Sequence, residues 1–218
     1  MLQKRALVFL AMTATLLIGL MLFPMASLAA EETEKQDSIE DLETMTYKEK
    51  ENYFDKQTKR INNSYEVNEV FSEKDEKIIK AAARFEENKV KPQFVDQEWR
   101  FFGSRINNSI GISGQVSGNV YIDVGWWNHT LSVNGTVDGT KGVDQSRVRV
   151  HFVSYGLIGS SGVGKTNDFW LNSGWVNNNY ATLNTSHDFS GNIVYHTTDV
   201  YGELQNNRGT LVIPGRVR

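Results

Sequence analysis

The sequence predicts a mainly β protein, an antiparallel β-sandwich or small barrel of about eight short strands that follows a charged helical extension. Within residues 109–137, apolar side chains occupy every second position of each segment, and Ser, Thr, Asn and Asp lie between them. Successive side chains of a strand point to opposite faces, so this alternation predicts one packed face and one solvated face. Charge separates the two regions, because residues 31–102 carry 19 acidic and 13 basic side chains and residues 103–218 carry 7 and 8.

Residues 1–29 have the features of a secretory signal peptide. Lys4 and Arg5 precede an uncharged run rich in Leu, Met and Ala, and small residues lie at Ser27 and Ala29. We therefore predict cleavage near Ala29 and a secreted or extracellular protein. The alternative is an uncleaved anchor, because about 20 apolar residues can span a bilayer. The chain has no cysteine, which excludes disulfides and favours a bacterial source over an animal secretory pathway.

Residues 30–102 are predicted to form an acidic, partly helical extension. Thr46 and Glu49 have the spacing of a capping box at a helix start, and Ser72 with Asp75 repeats that spacing. Pro92 is expected to end the second helix. Two interpretations stay open: a solvated spacer, which charge-rich helices favour, or a pro-segment that covers part of the β-domain and is later removed.

Residues 103–218 are predicted to form the β-domain. The pair Gly118-Asn119 suits a tight reversal, because both residue types tolerate positive φ. Gly, Asn and Ser then separate further apolar runs at regular intervals. The remaining strands are predicted at 147–158, 169–175, 180–184, 192–204 and 209–213.

The segment 159–166 reads Gly-Ser-Ser-Gly-Val-Gly-Lys-Thr and matches the phosphate-binding loop pattern. Such a loop binds phosphate only where a helix begins at its Lys-Thr end. The residues after Thr166 include Asn, Asp, Ser and Gly, which are poor helix formers. We therefore predict a hairpin loop here and no nucleotide cofactor. The formal net charge of -3 gives no reason to expect a nucleic-acid partner.

The histidines lack the spacing of a metal site, and no serine elbow of the G-x-S-x-G type is present. The chain is therefore expected not to be an enzyme and to hold no metal or cofactor. A hydrolase that uses His187 and Asp188 is the least favoured hypothesis, since neighbours in sequence need not form a catalytic pair.

Aromatic residues give the most promising candidate site. Trp126 lies an even number of positions from Val120 and Val124, so it is expected on the same face, in the core. Trp127 is expected on the solvated face. Exposed aromatic rings beside amides can stack on sugar rings and bind their hydroxyls. The alternative is that these rings complete the ends of the core. The candidate ligand-binding residues are Tyr121, Trp127, Trp170, Trp175, Asn178 and Tyr180.

These observations predict a binding module outside the cell or at its envelope, with a cell-wall glycan or a surface protein as partner. Membrane contact is expected only through the signal segment. The alternative is a secreted membrane-active toxin or antimicrobial protein, because alternating hydroxyl and apolar residues also describe strands that assemble into membrane barrels. The oligomeric state stays open.

Overall fold

The structure is a computed structural model that describes residues 39–87 and 97–217. The predicted signal peptide lies outside the described residues. A short 3-10 helix, Ile39–Glu43, precedes two α-helices, α1 (Tyr47–Ser64) and α2 (Glu73–Glu87). The strands that follow are β1 (Gln97–Asn107), β2 (Ile112–Val124), β3 (Asn128–Lys141), β4 (Gln145–Leu157), β5 (Val163–Asn172), β6 (Tyr180–Ser190), β7 (Tyr195–Asn206) and β8 (Gly209–Val217).

All eight strands join one antiparallel sheet in the order β5-β4-β7-β8-β1-β2-β3-β6. The sheet curls into a nearly closed barrel, which confirms the predicted mainly β class. Among the described residues, the shortest strand pairing joins β1 and β8, where Phe101 lies opposite Val217 and Phe102 lies opposite Arg216. Strands β5 and β6 form the two edges of the sheet, and each pairs with a single neighbour.

The core lies inside the curled sheet and follows the alternation in the sequence. The predicted inward positions of β2 and β3 are buried, and they are Ile112, Val116, Val120, Ile122, Leu131, Val133 and Val137. The predicted reversal at Gly118-Asn119 is wrong, because β2 runs through both residues. Gly118 instead lies where a side chain does not fit: a Cβ atom there would lie 2.1 Å from the Asn134 carbonyl oxygen of β3 and 2.7 Å from Phe101 Cζ. The missing side chain, rather than a turn, explains this glycine.

Both predicted capping motifs begin helices. At the start of α1, the Glu49 amide donates to Thr46 Oγ1 at 3.4 Å, and the Thr46 amide donates to Glu49 Oε2 at 2.7 Å. At the start of α2, the Asp75 amide donates to Ser72 Oγ at 3.2 Å. The Asp75 carboxylate also binds Arg60 of α1, so it joins the two helices.

The helical pair packs on the β-sheet through the segment between the helices. The Phe71 amide donates to the Val163 carbonyl at 2.9 Å, and the Asn68 amide donates to the Lys165 carbonyl at 2.7 Å. The Phe71 ring lies 5.8 Å from the Tyr155 ring on the outer face of β4. The described residues from 45 onward, 45–87 and 97–217, lie in one compact unit. The predicted division at residues 102 and 103 stays a prediction. The removal of residues 30–102 stays a prediction.

Candidate functional site

The outer face of strands β5, β4 and β7 carries paired guanidinium and indole groups. Strand β4 directs Val148 and Val150 into the core, so the alternating side chains of Arg147 and Arg149 point outward. The Arg147 Cζ atom lies 4.3 Å from the centroid of the Trp175 ring, and the Arg149 Cζ atom lies 4.0 Å from that of Trp170. Both distances fall within the range of cation–π contacts. We call the residues Arg147, Arg149, Trp170, Trp175 and Glu203 the Arg–Trp ladder.

Glu203 holds the two arginines of the Arg–Trp ladder in place. It lies opposite Arg147 in the β4–β7 register. Its carboxylate accepts from Arg147 Nε at 2.5 Å and from Arg149 Nη1 at 3.0 Å. The Glu203 side chain is nearly buried, so solvent screens these charge-assisted bonds only weakly. The ladder keeps one net positive charge, because one carboxylate faces two guanidinium groups.

A histidine extends the ladder toward the helical pair. The His151 ring is stacked on Trp170, with the ring centroids 4.2 Å apart and the planes 3° from parallel. His151 Nε2 lies 2.8 Å from Asp168 Oδ1, and Lys165 Nζ donates to Asp168 Oδ2 at 3.0 Å. Burial opposes ionisation of Asp168, but the hydrogen bonds from His151 and Lys165 outweigh it and lower the pKa of this carboxyl. Asp168 therefore stays ionised and fixes the His151 ring.

Strand β7 and helix α1 border the site on the other side. Tyr201 lies 6.2 Å from Trp170 between ring centroids, and Asp199 lies opposite His151 in the register. Burial raises the pKa of Asp199, and the nearby charge of Lys59 on α1 opposes that rise. Helix α1 thus covers one end of this sheet face, and the Arg–Trp ladder is the part left open.

The segment that matches a phosphate-binding loop is a hairpin turn only as far as Gly162, and its last four residues begin strand β5, with Lys165 buried against α1. Strand β5 begins at Val163, so no helix follows the glycines. Only 4% of the Lys165 side chain is exposed, and its ammonium donates to the Asn62 carbonyl of α1 at 2.7 Å as well as to Asp168. Lys165 therefore fastens the last turn of α1 to the sheet, and its ammonium does not face a phosphate site.

The structure brings two of the six predicted site residues together. Trp170 and Trp175 both belong to the Arg–Trp ladder, and they are 43% and 38% exposed. Tyr180 lies at the start of β6, opposite Asp138 of β3. Asn178 lies in the turn before it, where its side-chain oxygen accepts from the Asn179 amide at 2.7 Å.

The other two predicted residues belong to the β2–β3 hairpin. Tyr121 points outward from β2 opposite Ser132, and Trp127 lies in the turn, 56% exposed. The expectation that Trp126 lies in the core is wrong, because its side chain is 97% exposed. Strand β2 ends at Val124, so the two-residue parity no longer applies at Trp126.

Sequence reasoning missed the charged half of the ladder. Two arginines two residues apart on one strand were a visible indication, because they must share a face. Their partner Glu203 lies 56 residues from Arg147 in the chain. No local pattern predicts that pairing.

The remaining histidines have structural surroundings. The His196 ring lies between Trp99 and Phe152, and burial lowers its pKa to about 4. His129 Nε2 lies 2.7 Å from the Gly191 carbonyl oxygen. The register places His187 opposite Leu131 and Asp188 opposite Thr130, so the two residues of the proposed hydrolase pair face opposite sides of β6. Among residues 39–87 and 97–217, no group of three acidic, histidine or cysteine side chains could hold a metal ion.

Comparison of the chain with protein-family models, curated proteins and solved structures gave no significant match. Within the part of the chain that the structure describes, neither helix combines the length and apolar character needed to cross a membrane. The functional argument therefore depends on the chemistry of the Arg–Trp ladder.

Proposed function

We propose that this protein is a glycan-binding module whose binding surface is the Arg–Trp ladder. The observation that carries the proposal is that two half-exposed indoles, Trp170 and Trp175, are each held by a guanidinium group on one open sheet face. Arg149 and His151 both lie against the Trp170 ring, so the exposed part of this indole can pack beside a sugar. Trp175, which Arg147 contacts, can instead stack on the C–H face of a sugar ring while neighbouring polar groups bind hydroxyls.

The side chains of the ladder are held by contacts with one another. Glu203 fixes Arg147 and Arg149, and these arginines contact the two indoles. Side chains that are already ordered lose little conformational entropy on binding, so a preorganised surface favours affinity.

The charge of the ladder favours acidic glycans over neutral ones. Arg147 and Arg149 share a single carboxylate, and guanidinium donors left unused by Glu203 can bind a sugar carboxylate or phosphate. A cell-wall or extracellular polysaccharide is the corresponding partner, in accord with the predicted signal peptide. Secretion and location at the envelope belong to this proposal.

Calorimetric titration of the protein with acidic and neutral polysaccharides tests the proposal. We expect an acidic polysaccharide to bind, and Trp170→Ala or Trp175→Ala to weaken its affinity by about tenfold or more. Tyr121→Ala is the matched control, because Tyr121 is an outward aromatic on a different part of the sheet. Thermal unfolding of each variant checks that the fold survives. The proposal fails if no polysaccharide binds, or if the tryptophan variants bind as well as Tyr121→Ala.

The membrane-active alternative stays a prediction. In this fold the apolar side chains of β2 and β3 fill the core of the barrel. Formation of a membrane barrel would therefore require these strands to leave their present packing. Dye release from liposomes is the measurement that separates permeabilisation from glycan binding.

A further inference from the structure

The turn between β2 and β3 presents two adjacent tryptophans to solvent. Trp126 is 97% exposed and Trp127 is 56% exposed. The turn is nevertheless well anchored, because the Gly191 amide donates to the Trp127 carbonyl at 2.9 Å. The anchored backbone thus holds two large apolar rings in solvent, outside the core.

Two neighbouring connections at the same end of the barrel share this uncharged character. They are the β4–β5 turn, residues 158–162, and the β6–β7 turn, residues 191–194. The Val194 amide donates to the Tyr155 carbonyl at 2.7 Å, so the second turn is tied to β4 as well as to the tryptophan turn. Neither turn contains a charged residue, and neither does the tryptophan turn at 125–127. Leu157, at the end of β4, adds a further exposed apolar side chain at this end.

The charged groups that frame the tryptophan turn are acidic. Asp123 of β2 and Asp188 of β6 both lie opposite Thr130 of β3, a few residues from the turn. Glu76 of α2 lies beside the β4–β5 turn, but its carboxylate is paired with Lys80 Nζ at 2.5 Å, so this pair adds no net charge. An anionic surface would be repelled by Asp123 and Asp188, so a fitting partner is uncharged overall.

We propose that this end of the barrel docks on a neutral lipid surface, with Trp126 and Trp127 inserted at the headgroup level. Tryptophan concentrates at membrane–water interfaces because its large apolar ring and its indole N–H suit a boundary between hydrocarbon and water. The turn reaches only interfacial depth, where water still satisfies its backbone groups. Basic residues, which would direct binding to anionic lipid, are missing from all three turns.

Docking at this end leaves the Arg–Trp ladder accessible. Trp175 belongs to the connection between β5 and β6, at the opposite end of the barrel from the β2–β3 turn. The lipid proposal therefore does not depend on glycan binding, and either proposal can fail alone.

Co-sedimentation of the full chain with phosphatidylcholine vesicles tests the docking. The double variant Trp126→Ser, Trp127→Ser is expected to lower the partition coefficient by about tenfold or more, the scale of losing at least one large buried apolar side chain. Trp170→Ser is the matched control and is expected to partition like the wild type. Addition of phosphatidylglycerol is expected not to increase binding.

Fluorescence excludes a contribution from the N-terminal apolar segment. The wild-type emission spectrum minus that of Trp126→Phe gives the emission of Trp126. We expect this difference spectrum to shift to shorter wavelength when saturating vesicles are added. An unchanged difference spectrum, or binding to anionic vesicles alone, would overturn the proposal.

Discussion

Lys165 gives the sharpest test of how the helical pair is attached to the barrel. Lys165→Met keeps much of the aliphatic stem and removes the ammonium. The Asn62 carbonyl of α1 and the Asp168 carboxylate, 2.7 and 3.0 Å from Nζ, then lose a charged donor. Removing one partner of a buried pair costs about 3–5 kcal/mol. Asp168 keeps His151 and some solvent, so we expect a loss of about 2–3 kcal/mol.

Urea unfolding followed by circular dichroism and tryptophan fluorescence measures this loss. Lys77→Met is the matched control: Lys77 is well exposed and pairs only with Glu73 on the same helix, so its variant is expected to unfold at the wild-type midpoint. A loss below about 1 kcal/mol for Lys165→Met would refute the attachment described above. A rise in the wild-type midpoint with added ATP would restore the phosphate-loop hypothesis.

Three further predictions concern the core, the ladder and pH. Phe101→Ala leaves a cavity among Gly118, Gly135 and Gly215 and should destabilise the fold by about 3–5 kcal/mol in urea unfolding; a smaller loss would show that the glycines close over the gap. Arg149→Gln removes one of the two guanidinium groups and leaves the ladder without net charge, because Glu203 then faces Arg147 alone, so affinity for an acidic polysaccharide should fall; unchanged affinity would mean that the charge of the ladder plays no part. His196 has a folded-state pKa of about 4, below its unfolded value, so the unfolded chain binds the extra proton first. Stability should therefore decline as pH falls from about 6.5 to 4, by up to about 3 kcal/mol, and His196→Leu should lack this decline in unfolding curves recorded across that range.

Local patterns in the sequence predicted most of the strands and both helix starts, but not β1, whose first six residues were assigned to the extension. Alternation identified the buried side of β2 and β3, because strand geometry alone decides which face a residue occupies. The capping residues Thr46 and Ser72 needed only their own neighbours three positions along the chain. Features of this kind can be inferred without knowledge of tertiary contacts.

The errors came from features that depend on tertiary contacts or on where a strand ends. A glycine such as Gly118 suits a turn as well as a strand position without space for a side chain, and only the positions of Asn134 and Phe101 distinguish the two. Parity placed Trp126 in the core, because the sequence does not show where β2 ends. The contact of Phe71 with Tyr155 and the pairing of Arg147 with Glu203 join residues that are far apart in the chain. The aromatic half of the site could therefore be predicted, but not its charged half.

The central claim is that Trp170 and Trp175 form the ligand surface. The chain has five tryptophans, each of which gives a separate indole N–H signal in a ¹H–¹⁵N correlation spectrum. Titration with an acidic polysaccharide is expected to move the signals of Trp170 and Trp175 while those of Trp126 and Trp127 stay in place. Shifts at Trp126 and Trp127 alone, or no shift at any indole, would contradict it.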